Sequence, residues 1–327
     1  MGRILQETTA GAVATGEASH YAPTVIRTVR RVRVLLALAI GIVTLSSCAG
    51  TNVGGDATTA PMIETIAPNG APERIPATEL KPDGAGPFPA VVIMHDCSGL
   101  NPGSSGAPGR WARELVARGY VVLVPDSFTP RGRPGGVCTD ASPGRGAVSP
   151  LRRAHDAYGA LAYLRTRPYV DGRRVGVMGG SHGGSTTVAS MAAPRSAVEP
   201  LARDKRAGFA AAVALYPSCQ PWLSSPATSA YTSVAPLLIL IGDKDDWTPA
   251  EPCRKLAEAA QRAGSPVTIK VYPGAHHSFD SDRPVRYVAA RINPNSPSGR
   301  GATTGGDPTA WADSIREVVR FFGEHLK

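Results

Sequence analysis

From about residue 63 the chain alternates short apolar runs rich in β-branched residues with stretches whose apolar positions recur at helical spacing. The runs predict strands over residues 90–95, 121–125, 175–179, 210–215, 236–241 and 267–272. Several are apolar at every position, as strands covered on both faces of a parallel sheet are. Helical patterns fall over 110–118, 151–165, 182–191, 251–263 and 308–325, the last through Trp311, Ile315, Val318, Val319 and Phe322. This alternation implies right-handed crossovers and an α/β domain with a doubly wound, mostly parallel sheet flanked by helices. Residues 280–307 break the pattern with Gly, Pro, Asn and Arg and no periodicity. So long an irregular stretch inside a domain is either a wall or lid over a site or a floppy insertion.

The amino-terminal pattern is different. Arg27, Arg30, Arg31 and Arg33 precede an apolar run from Val34 to Leu45, followed by Ser46, Ser47 and Cys48. A basic stretch, a short apolar stretch and small residues form an export signal. Twelve apolar positions are too few for a membrane-spanning helix, which needs about 20. Leu45-Ser46-Ser47-Cys48 resembles the lipobox of bacterial lipoproteins, in which the cysteine is lipidated and becomes the first residue. Residues 1–47 are therefore read as leader and signal, 48–62 as lipid-anchor cysteine and tether, and 63–327 as the folded domain. The expected location is periplasmic or cell-surface, on a membrane by lipid anchor; a plain secreted form is the alternative.

Export changes the meaning of the other cysteines, Cys97, Cys138, Cys219 and Cys253. An even number in an oxidising compartment suggests disulfides, and four cysteines allow three pairings. Their places near the ends of predicted strands favour Cys97–Cys138 and Cys219–Cys253. No CxxC pair supports a zinc ribbon.

Composition adds little beyond a globular class, with 42% hydrophobic and 19% charged residues. The net charge is +9, a third of it carried by five arginines and two glutamates within residues 1–47. The remaining basic residues are scattered and not interleaved with aromatics, so no nucleic-acid partner is expected.

The chemistry lies in Gly179-Gly180-Ser181-His182-Gly183, which follows an apolar strand and opens a helix. This is the strand–turn–helix context of the G-x-S-x-G nucleophile elbow of the α/β-hydrolase fold. The serine occupies a strained turn that projects its hydroxyl, and glycines two residues either side remove clashing side chains. A dinucleotide loop is excluded by the absence of GxGxxG. The hydroxyl needs a base, and the base an orienting carboxylate, in the chain order Ser, acid, His. Loops after two later strands offer Asp243, Asp245 and Asp246, then His276 and His277. In this fold the amide after the nucleophile, His182, forms one side of the oxyanion hole. Adjacent histidines cannot easily share one ion and HExxH is absent, so no metal and no cofactor are expected.

Gly242-Asp243-Lys244-Asp245-Asp246-Trp247-Thr248-Pro249 and Gly274-Ala275-His276-His277-Ser278-Phe279 resemble the G-x-x-D-x-x-x-P and G-x-x-H-x-F segments of the dienelactone hydrolase family. The resemblance spans roughly residues 72–325 and implies Asp245 as acid and His277 as base. His95-Asp96-Cys97-Ser98-Gly99-Leu100-Asn101 is similar to the family's H-x-x-x-G-L/V-N segment, which implies the Cys97 amide as the second oxyanion donor. Related hydrolases often place a substrate-contacting arginine where this chain has Arg131, the alternative being an exposed loop arginine. One position departs from the pattern: dienelactone hydrolases proper carry cysteine where this chain has Ser181. The resemblance thus implies hydrolysis of a small-molecule carboxylic ester or lactone. A prolyl-oligopeptidase-type peptidase shares the fold and triad order, and a non-catalytic lipoprotein on the same scaffold is the reading from another class.

Overall fold

The computed structural model describes residues 60–67, 69–193, 208–223 and 231–327. The expected signal, Cys48 and the tether as far as residue 59 lie outside the described residues.

Eight strands form the main sheet: β1 (Met62–Ile66), β2 (Pro72–Leu80), β3 (Phe88–Met94), β4 (Val121–Pro125), β5 (Val170–Gly180), β6 (Ala211–Leu215), β7 (Leu237–Gly242) and β8 (Val267–Tyr272). Their spatial order is β1-β2-β4-β3-β5-β6-β7-β8. From β4 to β8 every neighbouring pair is parallel, whereas β1 and β2 add an antiparallel edge. The all-apolar runs of β4, β6 and β7 are buried at every position, because helices cover both faces of a doubly wound sheet. The two edge strands MIETI and PERIPATEL escaped the sequence pattern. They are polar at alternate positions, and Pro72 and Pro76 disguise β2, which is tolerable only near a sheet edge.

The helices are α1 (Ala107–Val116), α2 (Pro150–Arg165), α3 (His182–Met191), α4 (Ala250–Arg262) and α5 (Pro308–Leu326). α1 starts three residues before the expected 110, since Pro108 suits the first turn of a helix. Helices α1 and α5 meet through Trp111 and Trp311, edge to face at 4.7 Å. The Asp307 carboxylate caps α5 by accepting from the amides of Thr309 (3.0 Å) and Ala310 (2.9 Å). Among the described residues no helix is long and apolar enough to cross a membrane.

Both expected disulfides are present, Cys97–Cys138 and Cys219–Cys253, each with Cα atoms 5.0 Å apart. The stretch 280–307 is not irregular throughout: β9 (Arg286–Ile292) and β10 (Arg300–Thr304) pair antiparallel within it. β9 is mostly exposed and carries Arg286 and Arg291, and β10 is RGATT, so the hydrophobic alternation that betrays a strand is missing.

Cys219–Cys253 ties the loop after β6 to α4, closing 34 residues. Replacing both cysteines by alanine is expected to lower unfolding stability by about 3–4 kcal/mol in urea, from the lost constraint on the unfolded chain.

Candidate active site

Ser181 sits between β5 and α3 with φ 55° and ψ −117°, a conformation an L-residue adopts only where its surroundings force it. The flanking glycines supply that force. A Cβ on Gly179 would lie 2.5 Å from the Met94 carbonyl, and one on Gly183 would run into the same oxygen. The turn therefore presses against the end of β3, and its hydroxyl emerges at the carboxyl ends of the parallel strands, where open α/β sheets bind ligands.

Two further loops reach that rim. After β7, Asp243 and Lys244 donate backbone N–H bonds to the carbonyls of Tyr272 (3.1 Å) and Ala275 (3.0 Å), and the Asp243 carboxylate accepts from the Gly274 amide at 2.7 Å. This lacing fixes the loop after β7 against the loop after β8. Asp245 is thereby brought to His277, with Oδ2 2.8 Å from Nδ1. On the other side of the ring, Nε2 is 2.8 Å from Ser181 Oγ. All three side chains are buried. Asp245 Oδ1 accepts from the amides of Trp247 (3.0 Å) and Thr248 (2.8 Å), so the carboxylate cannot turn away. With Nδ1–H donating to Asp245, Nε2 is left free to accept the serine O–H.

The competing residues are engaged elsewhere. Asp246 accepts from the Thr303 amide (2.8 Å) and hydroxyl (2.7 Å), pinning the β9–β10 hairpin, while the His276 ring donates to the Lys244 carbonyl at 3.0 Å. Arg131 calls for a correction. It is neither free to grip a substrate nor exposed, and it lines neither cavity beside Ser181. Its Nη atoms donate to Asp156 (2.7 and 2.9 Å), Glu73 (2.6 Å) and the Ser127 carbonyl (2.7 Å). A buried guanidinium takes the carboxylates that neutralise it, and Asp156 is itself fully buried.

Several contributors were invisible in sequence. Thr248 Oγ1 lies 3.0 Å from His277 Nδ1 and 2.9 Å from Asp245 Oδ2, and it donates to the Tyr216 carbonyl. Its place inside the G-x-x-D-x-x-x-P segment was the available signal. Tyr216 and Trp247 hold the His277 ring between them, with centroids at 4.8 and 4.7 Å. Tyr216 in turn donates to buried Asp280 at 2.7 Å, which also accepts from Trp111 Nε1 at 2.8 Å. Burial raises the Asp280 carboxyl above its ordinary range.

Two cavities adjoin Ser181. The larger, about 910 Å³, is lined by Cys97, Ser181, His182, Leu151, Ala189, Trp222, Trp247 and Ile292, with Arg145 as its one charged group. The smaller, about 60 Å³, lies against Ser181 and His277 and is lined by Arg283, Arg286 and Arg291 with the single carboxylate Asp96. The hairpin forms one wall of both. Trp247 Nε1 donates to the Ile292 carbonyl (2.8 Å), and Asn295 Nδ2 donates to the Trp247 carbonyl (2.9 Å). Among the described residues the one grouping with metal-ligand spacing is Asp96, Cys97 and Cys138, whose sulfurs are bonded to each other and are not thiolates.

A mostly parallel sheet with flanking helices and a serine at the strand-to-helix turn defines an α/β-hydrolase fold. Thermogutta terrifontis esterase 2 phosphonylated by cyclosarin superimposes with a TM-score of 0.57 at 19% identity, over 81% of this chain and 94% of that one. The family model of the dienelactone hydrolases matches residues 75–326, and the chain belongs to that family. Among curated relatives, a "Probable 2-oxo-3-(5-oxofuran-2-ylidene)propanoate lactonase" from Bradyrhizobium sp is 27% identical over 65% of this chain and 84% of its own length. A "Putative carboxymethylenebutenolidase" from Methylorubrum extorquens is 26% identical over 66% of this chain and 71% of its own.

Two histidines, His95 buried and His182 half-buried, are expected to give the fold a pH dependence. His95 has its Nδ1 2.9 Å from the Asp96 carbonyl, and its Nε2 accepts from the Ser127 amide. Burial first and Arg153 second hold both His95 and His182 well below 6.5. In the unfolded chain they take up protons near 6.5, so the unfolded state binds more protons below that pH and folding stability falls as pH drops. The slope is at most about 1.4 kcal/mol per pH unit for each ring. Asp280, raised, works in the opposite sense in the carboxyl range. Melting temperature measured from pH 7.5 to 5.5 is expected to decline, and less steeply in His95→Asn.

Proposed function

We propose that this protein hydrolyses carboxylic esters or lactones through an acyl-enzyme intermediate on Ser181. The observation that carries the reading is the pair of 2.8 Å contacts on His277, one to the serine hydroxyl and one to the Asp245 carboxylate. Nε2 takes the hydroxyl proton as Oγ attacks the carbonyl carbon, and Asp245 stabilises the imidazolium that forms. The negative charge on the carbonyl oxygen is met by the amides of Cys97 and His182, which both line the cleft beside Ser181. Imidazolium then protonates the leaving alkoxide. A water deprotonated by Nε2 releases the acid and restores the serine. Membership of the dienelactone hydrolase family, the names of the curated relatives and the esterase fold neighbour support the same class.

The two cavities suggest how the substrate divides. The large cleft suits an apolar body, whereas three arginines around the small pocket suit a negatively charged group. Arg291 lies over Trp247 at 5.0 Å, which keeps its charge next to the His277 wall. We also read the leader and Cys48 as placing the enzyme on a membrane by a lipid anchor. The two disulfides fit an oxidising compartment.

A fluorophosphonate probe is expected to label the wild-type protein and not Ser181→Ala, with p-nitrophenyl acetate turnover falling by about 10⁴–10⁶. Asp245→Asn is expected to lose about 10⁴ in kcat, whereas Asp246→Asn keeps most of it. A folded wild-type protein that resists the probe and leaves a broad ester and lactone panel intact would overturn the reading.

Neutralising the small pocket separates charge from chemistry. The triple substitution of Arg283, Arg286 and Arg291 by glutamine is expected to raise KM for p-nitrophenyl hemiglutarate about tenfold or more. The KM for neutral p-nitrophenyl pentanoate shifts much less, and added salt reproduces part of the difference.

A further inference from the structure

Helix α2 buries Arg153 completely beneath the nucleophile elbow. Its Nη2 donates to the His95 carbonyl at 2.8 Å, and its Nη1 lies 2.8 Å from Nδ1 of His182. The guanidinium is stacked 4.8 Å over the Phe128 ring, and that ring meets the edge of His182 at 5.6 Å. Burial lowers Arg153 only to about 10, so it stays charged at neutral pH.

A guanidinium has donors and no acceptor, so Nδ1 of His182 must be the accepting atom. An imidazole that accepts at Nδ1 carries its one proton on Nε2. A second proton, on Nδ1, would set N–H against N–H. Burial and the charges of Arg153 and Arg145 also hold the ring well below 6.5. The ring is therefore neutral, with one tautomer and one donor. It is only half-buried, and it lines the 910 Å³ cleft next to Ser181. Nδ1 is taken by Arg153, which leaves Nε2–H as the one ring donor of a residue that lines the cleft. The cleft as a whole is lined largely by hydrocarbon, from Leu151, Ala189, Ala192, Trp222 and Ile292, with Ser149 and Ser185 among its polar members.

We propose that Arg153 and His182 form a fixed-tautomer hydrogen-bond donor that selects esters carrying a second acceptor oxygen close to the scissile carbonyl. This rests on the ester-hydrolase reading above and deepens it by naming the substrate class. A keto, ether or further ester oxygen in the substrate replaces the water that Nε2–H loses when the cleft fills. A methylene at the same place covers the donor without satisfying it, and sites built around a donor reject such analogues. His182 is the specificity residue. Arg153 touches no substrate and acts as a positioning residue, by occupying Nδ1.

The test compares isosteric neutral esters with the full-length protein, so that the arginines of the small pocket are not probed. One pair places the acceptor in the acyl chain, p-nitrophenyl 4-oxopentanoate against p-nitrophenyl pentanoate. The other places it in the alcohol, 2-ethoxyethyl acetate against pentyl acetate. The readout is the ratio of kcat/KM within a pair, because the backbone amide at 182 serves both members alike. Wild type is expected to favour the acceptor-bearing ester in one pair. His182→Leu is expected to lower that preference about tenfold, with the change in KM more than in kcat. His182→Gln, whose amide can both accept from Arg153 and donate to the cleft, is expected to keep part of it. Arg153→Met frees the tautomer and is expected to lower the same ratio; if it does not fold, the two variants at 182 decide. Ratios unchanged in both His182 variants, with wild type turning over the plain esters, overturn this proposal alone. Failure of wild type on all four esters overturns the hydrolase reading and this one with it.

Discussion

One imidazole organises this molecule. The His277 ring has a hydroxyl at one nitrogen and a carboxylate at the other, each at 2.8 Å, and those contacts tolerate little displacement. Everything around the ring limits its freedom. Tyr216 and Trp247 pack against it, Thr248 Oγ1 sits beside both it and Asp245, and its own carbonyl accepts from the Gly305 amide at 3.0 Å. The parallel sheet makes this arrangement possible. Strands β5, β7 and β8 point the same way, so loops separated by 96 residues of chain leave from one rim.

Charge is distributed with the same economy of movement. Beneath the elbow, Asp156 and Glu73 share Arg131 and Arg152, so a cluster of ionised groups sits inside the fold with its partners in place. Arg153 feels the charge of Asp156 but makes its hydrogen bonds to the His95 carbonyl and to the His182 ring. Because a guanidinium only donates, its contact with Nδ1 fixes which nitrogen of that ring bears the proton.

The β9–β10 hairpin shows how a segment without a core of its own becomes structural. Its strands bury little, yet Asp246, Trp247 and Asn293 hold it by side-chain bonds, and the Ile292 amide donates to the Cys138 carbonyl. The disulfide Cys97–Cys138 fastens that loop in turn to the segment bearing the proposed oxyanion donor. Cleft wall, cysteine pair and the rim that bears Ser181 are therefore one connected unit, and Arg286 and Arg291 of the hairpin line the small pocket beside the serine.

The sequence alone determined the parallel strands, the helices and the elbow at Ser181, and it favoured the two cysteine pairs among three pairings. Each leaves a local trace: an apolar run, a periodic apolar face, glycines around a serine, or an even number of cysteines, although Cys253 lies within α4 and not at a strand end. The choice of Asp245 and His277 among their neighbours came from the family resemblance, because adjacent loop residues of one type are chemically alike until a fold orients them. Only the tertiary structure decided what the charged side chains do. Arg131, expected in the site, is consumed by Asp156 and Glu73, whereas Arg153 engages the His182 ring and Arg283, Arg286 and Arg291 line the small pocket beside the serine. Apolar periodicity is written along the sequence because burial is common to a whole face. The partner of a charge is set by distance in space, and distance in space is what the sequence does not carry.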